Sequence, residues 1–305
     1  MTENEFLLQD RIAKIKSINE QYDLEHNGYI SFSGGKDSTI LSHLIDEALP
    51  GNTIPRVFIN TGIEYKLLVA FVERERERDN RILFIAPTQN IREVLEKYGY
   101  PFKSKEHSQK VYEYRHGGRG NNLKKYFRII PAEYRTCPSK LMYQIGDSFN
   151  LEISHKCCYK LKKEPIRKWE KQNKRPICIT GMTKEEEGQR TTLACIVTDT
   201  KTGSVKRFHP LSVITKENID FLDWYVKERN IELCELYYAP YNFLRTGCKG
   251  CPFSLTLQDQ LDVMAELLPQ ERKQCEIIWK PVYAEYRRIG YRLKPAGFFD
   301  EQFIP

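Results

Sequence analysis

The 305-residue sequence lacks any apolar run near the roughly 18 residues that a membrane-spanning helix needs. Leu67 to Val72 and Ile82 to Ala86 typify what it has, and no membrane partner is expected. Its first residues, Met1-Thr2-Glu3-Asn4-Glu5, are acidic and precede no apolar core with a small-residue cleavage site. No secretory leader is expected there, and the expected location is cytoplasmic. Internal repeats and low-complexity tracts are missing as well. Gly (17) and Pro (15) show no excess, which excludes collagen-like and wholly disordered chains. What is present is a globular balance of 40% apolar, 12% aromatic and 29% charged residues.

The formal net charge of +7 is uneven. Residues 101–175 hold 19 basic and 7 acidic side chains, a net +12, and the rest of the chain nets −5. Such a block suits a polyanion: a nucleotide, tRNA or DNA. A solvated basic face accounts for it equally well. Nine cysteines in a reducing compartment are not expected to form structural disulfides. Their placement says more: Cys157 and Cys158 are adjacent, and Cys248 and Cys251 form a C-x-x-C.

Apolar spacing over residues 5–22 predicts an amphipathic leading helix. Strand-like runs at 28–32, 53–60 and 81–86 alternate with helical stretches from Thr39 and over 65–79, and Pro176 to Thr180 reads as a further buried strand. A hairpin is expected over 193–209, around Asp199 to Gly203. This alternation predicts an α/β fold with an open, mostly parallel sheet carrying helices on both faces, Rossmann-like, plus a small C-terminal helical extension. The expected organisation is an N-terminal helix over 1–27, a nucleotide-binding domain over 28–235, and a C-x-x-C loop with helices near 257–268 and 270–289 over 236–305.

Between the first strand and its helix stands Ser33-Gly34-Gly35-Lys36-Asp37-Ser38. The carboxyl end of a strand in an open α/β sheet is where a nucleotide belongs. Two glycines let the backbone approach an anion, and the following helix offers unpaired N–H groups. Ser33 and Ser38 add hydroxyls, Lys36 adds charge, and Asp37 suits a Mg²⁺ ion bridging phosphates. Lys36 and Asp37 are the candidate catalytic residues. The pattern is not a Walker A loop.

This run resembles the S-G-G-x-D-S signature of the ATP pyrophosphatase superfamily, also called PP-loop or adenine nucleotide alpha hydrolase-like. The branch most similar contains the phosphoadenylyl-sulfate (PAPS) and adenylyl-sulfate reductases. Asn60-Thr61-Gly62-Ile63-Glu64 resembles that branch's D-T-G-x-E, with Asn60 for the usual Asp. Thr180-Gly181-Met182-Thr183 through Arg190 resembles its T-G-x-R-x-x-E-S-x-x-R, with Thr183 for the usual Arg. His209-Pro210-Leu211 through Thr215 and Leu236-Tyr237 resemble the stretch that follows. The resemblance implies a bound ATP or related adenine nucleotide, with chemistry at the α-phosphate. It adds Asn60, Thr61, Gly62, Gly181, Glu186 and Arg190 to the nucleotide site formed by Ser33, Gly34, Gly35, Lys36, Asp37 and Ser38.

Cys157, Cys158, Cys248 and Cys251 supply four thiolates, enough for a [4Fe–4S] cluster or a Cys₄ zinc. Adjacent ligands crowd a single tetrahedral ion, whereas a cluster offers each thiolate its own iron. The adenylyl-sulfate reductases bind a [4Fe–4S] cluster through C-C…C-x-x-C, so the resemblance favours the cluster. Lys156, Lys160, Lys162 and Lys163 flank it. Cys137 is a spare candidate ligand, and Cys178, Cys195 and Cys275 read as core residues.

Sulfonucleotide reductases carry a nucleophilic cysteine in a tail segment, which Phe298 to Pro305 does not supply. The expectation is an ATP-using relative that adenylylates an acceptor or transfers sulfur, with nucleic acid as one acceptor and a sulfur or electron donor protein as partner. Two alternatives stand beside it. One is a sulfonucleotide reductase using a non-tail cysteine or a partner's thiol; the other is a nucleotide-sensing module without turnover.

Overall fold

The computed structural model describes residues 1–132, 136–185 and 191–295. In chain order, α1 (Glu3–Tyr22) and α2 (Leu24–Asn27) precede β1 (Gly28–Ser31), α3 (Lys36–Ala48), β2 (Arg56–Ile59), α4 (Lys66–Arg78) and β3 (Ile82–Ile85). Helices α5 (Ile91–Tyr98), α6 (Lys105–Arg115) and α7 (Asn121–Tyr126) follow, with a 3-10 helix at Ser139–Ile145. Then α8 (Lys156–Cys158) passes through a π-helical stretch, Tyr159–Lys163, into α9 (Glu164–Asn173). The rest comprises β4 (Ile177–Ile179), β5 (Ile196–Thr198), β6 (Val205–Phe208), α10 (Asp220–Glu228), α11 (Leu257–Leu267) and α12 (Pro269–Ile289).

Two units result: residues 1–60, 66–86 and 165–246 form the first, and 61–65, 87–164 and 247–305 the second. They differ from the linear boundaries expected at 27 and 235. The connection between β3 and β4 is about ninety residues long, far beyond an ordinary crossover, and most of it packs with residues 61–65 and 247–305 in the second unit. A boundary search along the chain sees an insertion of this kind only as continued sequence.

The first unit contains a six-stranded sheet in the order β3-β2-β1-β4-β6-β5. All neighbours are parallel except β5 and β6, the expected hairpin. Tyr29, Ile30, Val57 and Phe58 are buried, as strands covered on both faces require. Leu8, Ile12, Ile15 and Ile18 make the buried stripe of α1, which starts on a Thr2–Glu5 capping box. The chain runs outward from β1 to β3 and then returns to the other side of β1 as β4. The crevice at the carboxyl ends of β1 and β4 is therefore a topological switch point, the ligand position of this fold class.

In the second unit, α12 buries Cys275, Trp279, Val282, Tyr283 and Tyr286 along one face. A buried polar network links α6, α7 and the 3-10 helix. His107 meets Tyr126 Oη at 2.9 Å through Nδ1 and Gln144 Oε1 at 2.7 Å through Nε2. No described helix is long and apolar enough to cross a membrane.

Candidate functional site

In the first unit the candidate site begins where β1 ends. Gly34 has φ +70°, and a Cβ there would fall 2.5 Å from Val72 Cγ2 and 3.1 Å from Leu68 Cδ1. Backbone conformation and packing on α4 both demand glycine. Ser38 Oγ donates to the Gly35 carbonyl at 2.9 Å and accepts the Ser33 N–H at 3.1 Å. With that proton committed, Ser33 Oγ donates across the 3.0 Å gap to Ser38 Oγ, and it accepts the Gly35 N–H at 3.3 Å. The two serines brace the loop from within.

Helix α3 opens at Gly35, whose φ is −77°, without a side-chain cap. Its first amide finds a partner far along the chain: Lys36 N–H donates to Tyr237 Oη at 3.0 Å. Tyr237 in turn shares a 2.6 Å bond with Thr246 Oγ1. Burial raises the Tyr237 phenol, so it stays protonated. The Lys36 ammonium lies 3.4 Å from Asp223 Oδ1 on α10, an ion pair with an exposed acid partner. Asp37 occupies the first turn of α3. Gly181 lies against it, since a Cβ on Gly181 would meet the Asp37 carbonyl oxygen at 2.4 Å. Glycine thus lets the segment leaving β4 pack directly on the loop's helix.

Other sequence candidates distribute as follows. Asn60 ends β2, its N–H bonded to the Ile85 carbonyl at 2.9 Å. Thr183 is buried with its hydroxyl 3.5 Å from Glu185 Oε2, so the family's usual Arg has a neutral replacement facing a carboxylate. Glu186 and Arg190 lie outside the described residues.

Thr61 and Gly62 belong to the second unit. There Glu64, buried, accepts the Thr61 N–H at 2.9 Å and its hydroxyl at 2.8 Å, closing a turn around Gly62, whose φ is +80°. The Ile63 carbonyl accepts the Lys249 N–H at 2.8 Å, and Lys162 Nζ lies 3.7 Å from Glu64 Oε1. The Thr61–Glu64 turn, the Cys-Cys helix with its π-helical continuation, and the C-x-x-C loop therefore meet within one unit.

All four candidate thiols are in that unit. A thiol–thiol hydrogen bond couples Cys157 and Cys158, raising the first and lowering the second, and Lys105, Lys162 and Lys163 favour the Cys158 thiolate further. Burial pushes Cys251 up to about 12, with Cys248 and Cys158 adding to the rise. Burial also raises Cys248, against the attraction of Lys162. Each thiol thus lies in the field of the others. Among the described residues, no three His, Cys, Asp or Glu side chains are grouped so as to hold a metal ion.

The C-x-x-C loop turns on Gly250, φ +60°, with Cys251 N–H bonded to the Cys248 carbonyl at 3.2 Å. Helix α12 holds it by three aromatic donors. Trp279 Nε1 bonds the Lys249 carbonyl at 3.1 Å, Tyr283 Oη the Gly250 carbonyl, and Tyr286 Oη the Pro252 carbonyl at 2.8 Å. Lys249 turns inward, 2.7 Å from Gln274 Oε1. In the sequence, Glu64 and Tyr237 stood only within family-like motifs, without a role of their own, and Lys249, Thr246 and this aromatic row had none; the row's i, i+4, i+7 spacing was its one visible sign.

Much of the basic block is engaged internally. Lys156 Nζ bonds Tyr112 Oη at 2.6 Å and lies over the Tyr98 and Tyr112 rings. Arg115 donates to the carbonyls of Leu151 and Phe149, and Lys110 pairs with Glu106 over the Tyr126 ring. These cations build the second unit as well as charging its surface.

Comparison with known proteins places this geometry. The profile of the phosphoadenosine phosphosulfate reductase domain matches residues 27–130 and 124–254. An uncharacterized protein of Methanocaldococcus jannaschii is 24% identical over 260 residues, 82% of this chain and 49% of that protein. The chain thus spans about half the length of that relative. Among solved structures, phosphoadenylyl-sulfate reductase from Candida auris, a phosphate complex, is 12% identical with a TM-score of 0.41, covering 77% of this chain and 91% of that one. FMN adenylyltransferase of Candida glabrata with ATP is 18% identical, TM-score 0.43, covering 79% and 61%. Yeast FAD synthetase with FAD is 14% identical, TM-score 0.44, covering 99% and 84%.

Proposed function

The chain belongs to the phosphoadenosine phosphosulfate reductase domain family, and from that membership we propose that it binds ATP or a related adenine nucleotide and acts at the α-phosphate. One observation carries the reading. A turn that only glycine can make at Gly34, lined by hydroxyls and opening an uncapped helix, stands at the sheet's topological switch point. Ser33, Gly34, Gly35, Lys36, Asp37 and Ser38 form the phosphate side of the site. Asn60, Gly181, Glu186 and Arg190 extend it by family resemblance.

In this reading a nucleophile of the acceptor attacks the α-phosphorus, the bond to the bridging oxygen breaks, and pyrophosphate leaves. Asp37 would hold a Mg²⁺ ion, which would supply charge neutralisation for the leaving group, and Lys36, exchanged from exposed Asp223, offsets the remaining charge. The product is an adenylylated acceptor, from which a sulfur nucleophile of a donor protein displaces AMP in a sulfur-transfer variant. A nucleic acid acceptor suits the cations of 101–175 that are not engaged internally.

The fit of an iron–sulfur group rests on the donor set. Four thiols in one unit, each in the others' field and with Lys162 beside Cys248, are the donor set that an anionic thiolate-ligated group takes. Cys157, Cys158, Cys248 and Cys251 would hold a [4Fe–4S] cluster, which supplies structural cross-linking or electron-rich sulfur chemistry when bound.

The test is pyrophosphate release from Mg-ATP by anaerobically purified protein, with and without tRNA or DNA. The expected result is pyrophosphate in step with AMP or adenylylated acceptor, reduced about 100-fold or more in Asp37→Ala. Release of ADP and phosphate instead, or nucleotide bound with neither product, would reject action at the α-phosphate.

A further inference from the structure

A Cβ added to Gly35 would lie 3.1 Å from Tyr237 Oη, 3.2 Å from Ser33 Oγ and 3.3 Å from Thr246 Oγ1. Three hydroxyls from three separate stretches of the first unit therefore converge on the space above one glycine, beside the first turn of α3. Neither Tyr237 nor Thr246 carries a role in the nucleotide site as read from the sequence.

The hydrogen-bond inventory says what this space accepts. Tyr237 Oη receives the Lys36 N–H, and one proton bridges Tyr237 and Thr246. Two hydroxyls own two protons. Whichever of the pair donates to the other, one proton is left over, and it belongs to a group already facing the loop. The cradle thus offers a hydroxyl donor, complementary to a non-bridging phosphate oxygen.

We propose that Tyr237 and Thr246 act as a paired hydroxyl donor to the pyrophosphate portion of a magnesium-bound nucleoside triphosphate. The inference rests on the nucleotide reading above. Asp37, which would hold a Mg²⁺ ion, lies on the same turn of α3 and is near enough to act on the Tyr237 phenol electrostatically, so a polyphosphate held at that turn would meet the pair. Adenosine and its α-phosphate alone do not need these hydroxyls. The pair is therefore a specificity device, selecting for polyphosphate over monophosphate.

The experiment titrates Mg-ATP, AMP and magnesium pyrophosphate into the full chain, its Tyr237→Phe and Thr246→Val variants and the double variant. Both substitutions keep the side-chain shape, and matching urea midpoints control for folding. Each single variant keeps one hydroxyl proton that can still reach the phosphate, so Mg-ATP and pyrophosphate are expected to weaken only about twofold. The double variant loses the last donor and should weaken both about tenfold, the loss of one charge-assisted hydrogen bond, while AMP affinity holds. Unchanged Mg-ATP affinity in the double variant, or equal losses for AMP and ATP, would each overturn the proposal. If the unaltered chain binds none of the three ligands, the nucleotide reading itself fails, a result distinct from all of these.

Discussion

At the scale of single residues, positions of known chemistry turn out to be held by neighbours the sequence does not advertise. His107 is the clearest titrating example. Burial lowers it from 6.5 to about 4, with Gln144 Oε1 fixing the proton on Nε2 and Tyr126 donating to Nδ1. A folded state that binds this proton less readily than the unfolded state loses stability as pH falls from about 6.5 toward 4. At pH 5 the effect is on the order of 2 kcal/mol. Urea unfolding at pH 5 and 7 should therefore show a smaller pH difference in His107→Gln than in the unaltered chain; parallel curves would contradict this. Glu64 makes the same point without titration. Its spacing from Thr61 suggested only a family motif, yet its carboxylate closes the Gly62 turn and faces Lys162.

At the scale of elements, local patterns carried far in the first unit and less far in the second. Strands β1 to β4, the β5–β6 hairpin, and helices α1, α3, α4, α11 and α12 follow from apolar periodicity and turn residues. The partner that holds the C-x-x-C loop does not. Trp279, Tyr283 and Tyr286 look like any buried helix face until their donors are traced to the carbonyls of Lys249, Gly250 and Pro252. This grip makes the loop's two glycines unequal. A Cβ on Gly250, at φ +60°, would meet Tyr283 Oη at 2.5 Å and Cys275 Sγ at 2.7 Å, whereas one on Gly247 meets nothing within 4 Å. With a four-iron cluster in place, Gly247→Ala should retain about four irons per chain on anaerobic purification, and Gly250→Ala should lose most of them. Equal iron in the two variants would show that the aromatic row does not set the loop.

At the scale of the whole molecule, the fold class was legible because strand–helix alternation and the S-G-G-K-D-S turn agree on one architecture. The division into units was not, because residues 87–164 form an insertion between β3 and β4, consecutive in the chain though apart in the sheet, and 61–65 leaves the first unit for only five residues. The proposed phosphate site was half legible. Its near wall, Ser33 to Ser38, is one continuous motif, while Tyr237, bonded to Lys36 across 201 positions, reaches it only through the fold. In the proposed reading a nucleotide's phosphates occupy the space above Gly35. Gly35→Ala is the decisive variant, because φ −77° suits alanine and the added methyl enters the cradle, 3.1–3.3 Å from three hydroxyls that must give way to it. Calorimetric titration with Mg-ATP should show one site in the unaltered chain and none in Gly35→Ala, with the urea midpoints of the two as the folding control. Equal Mg-ATP affinity in the two proteins would place the nucleotide elsewhere and contradict this reading.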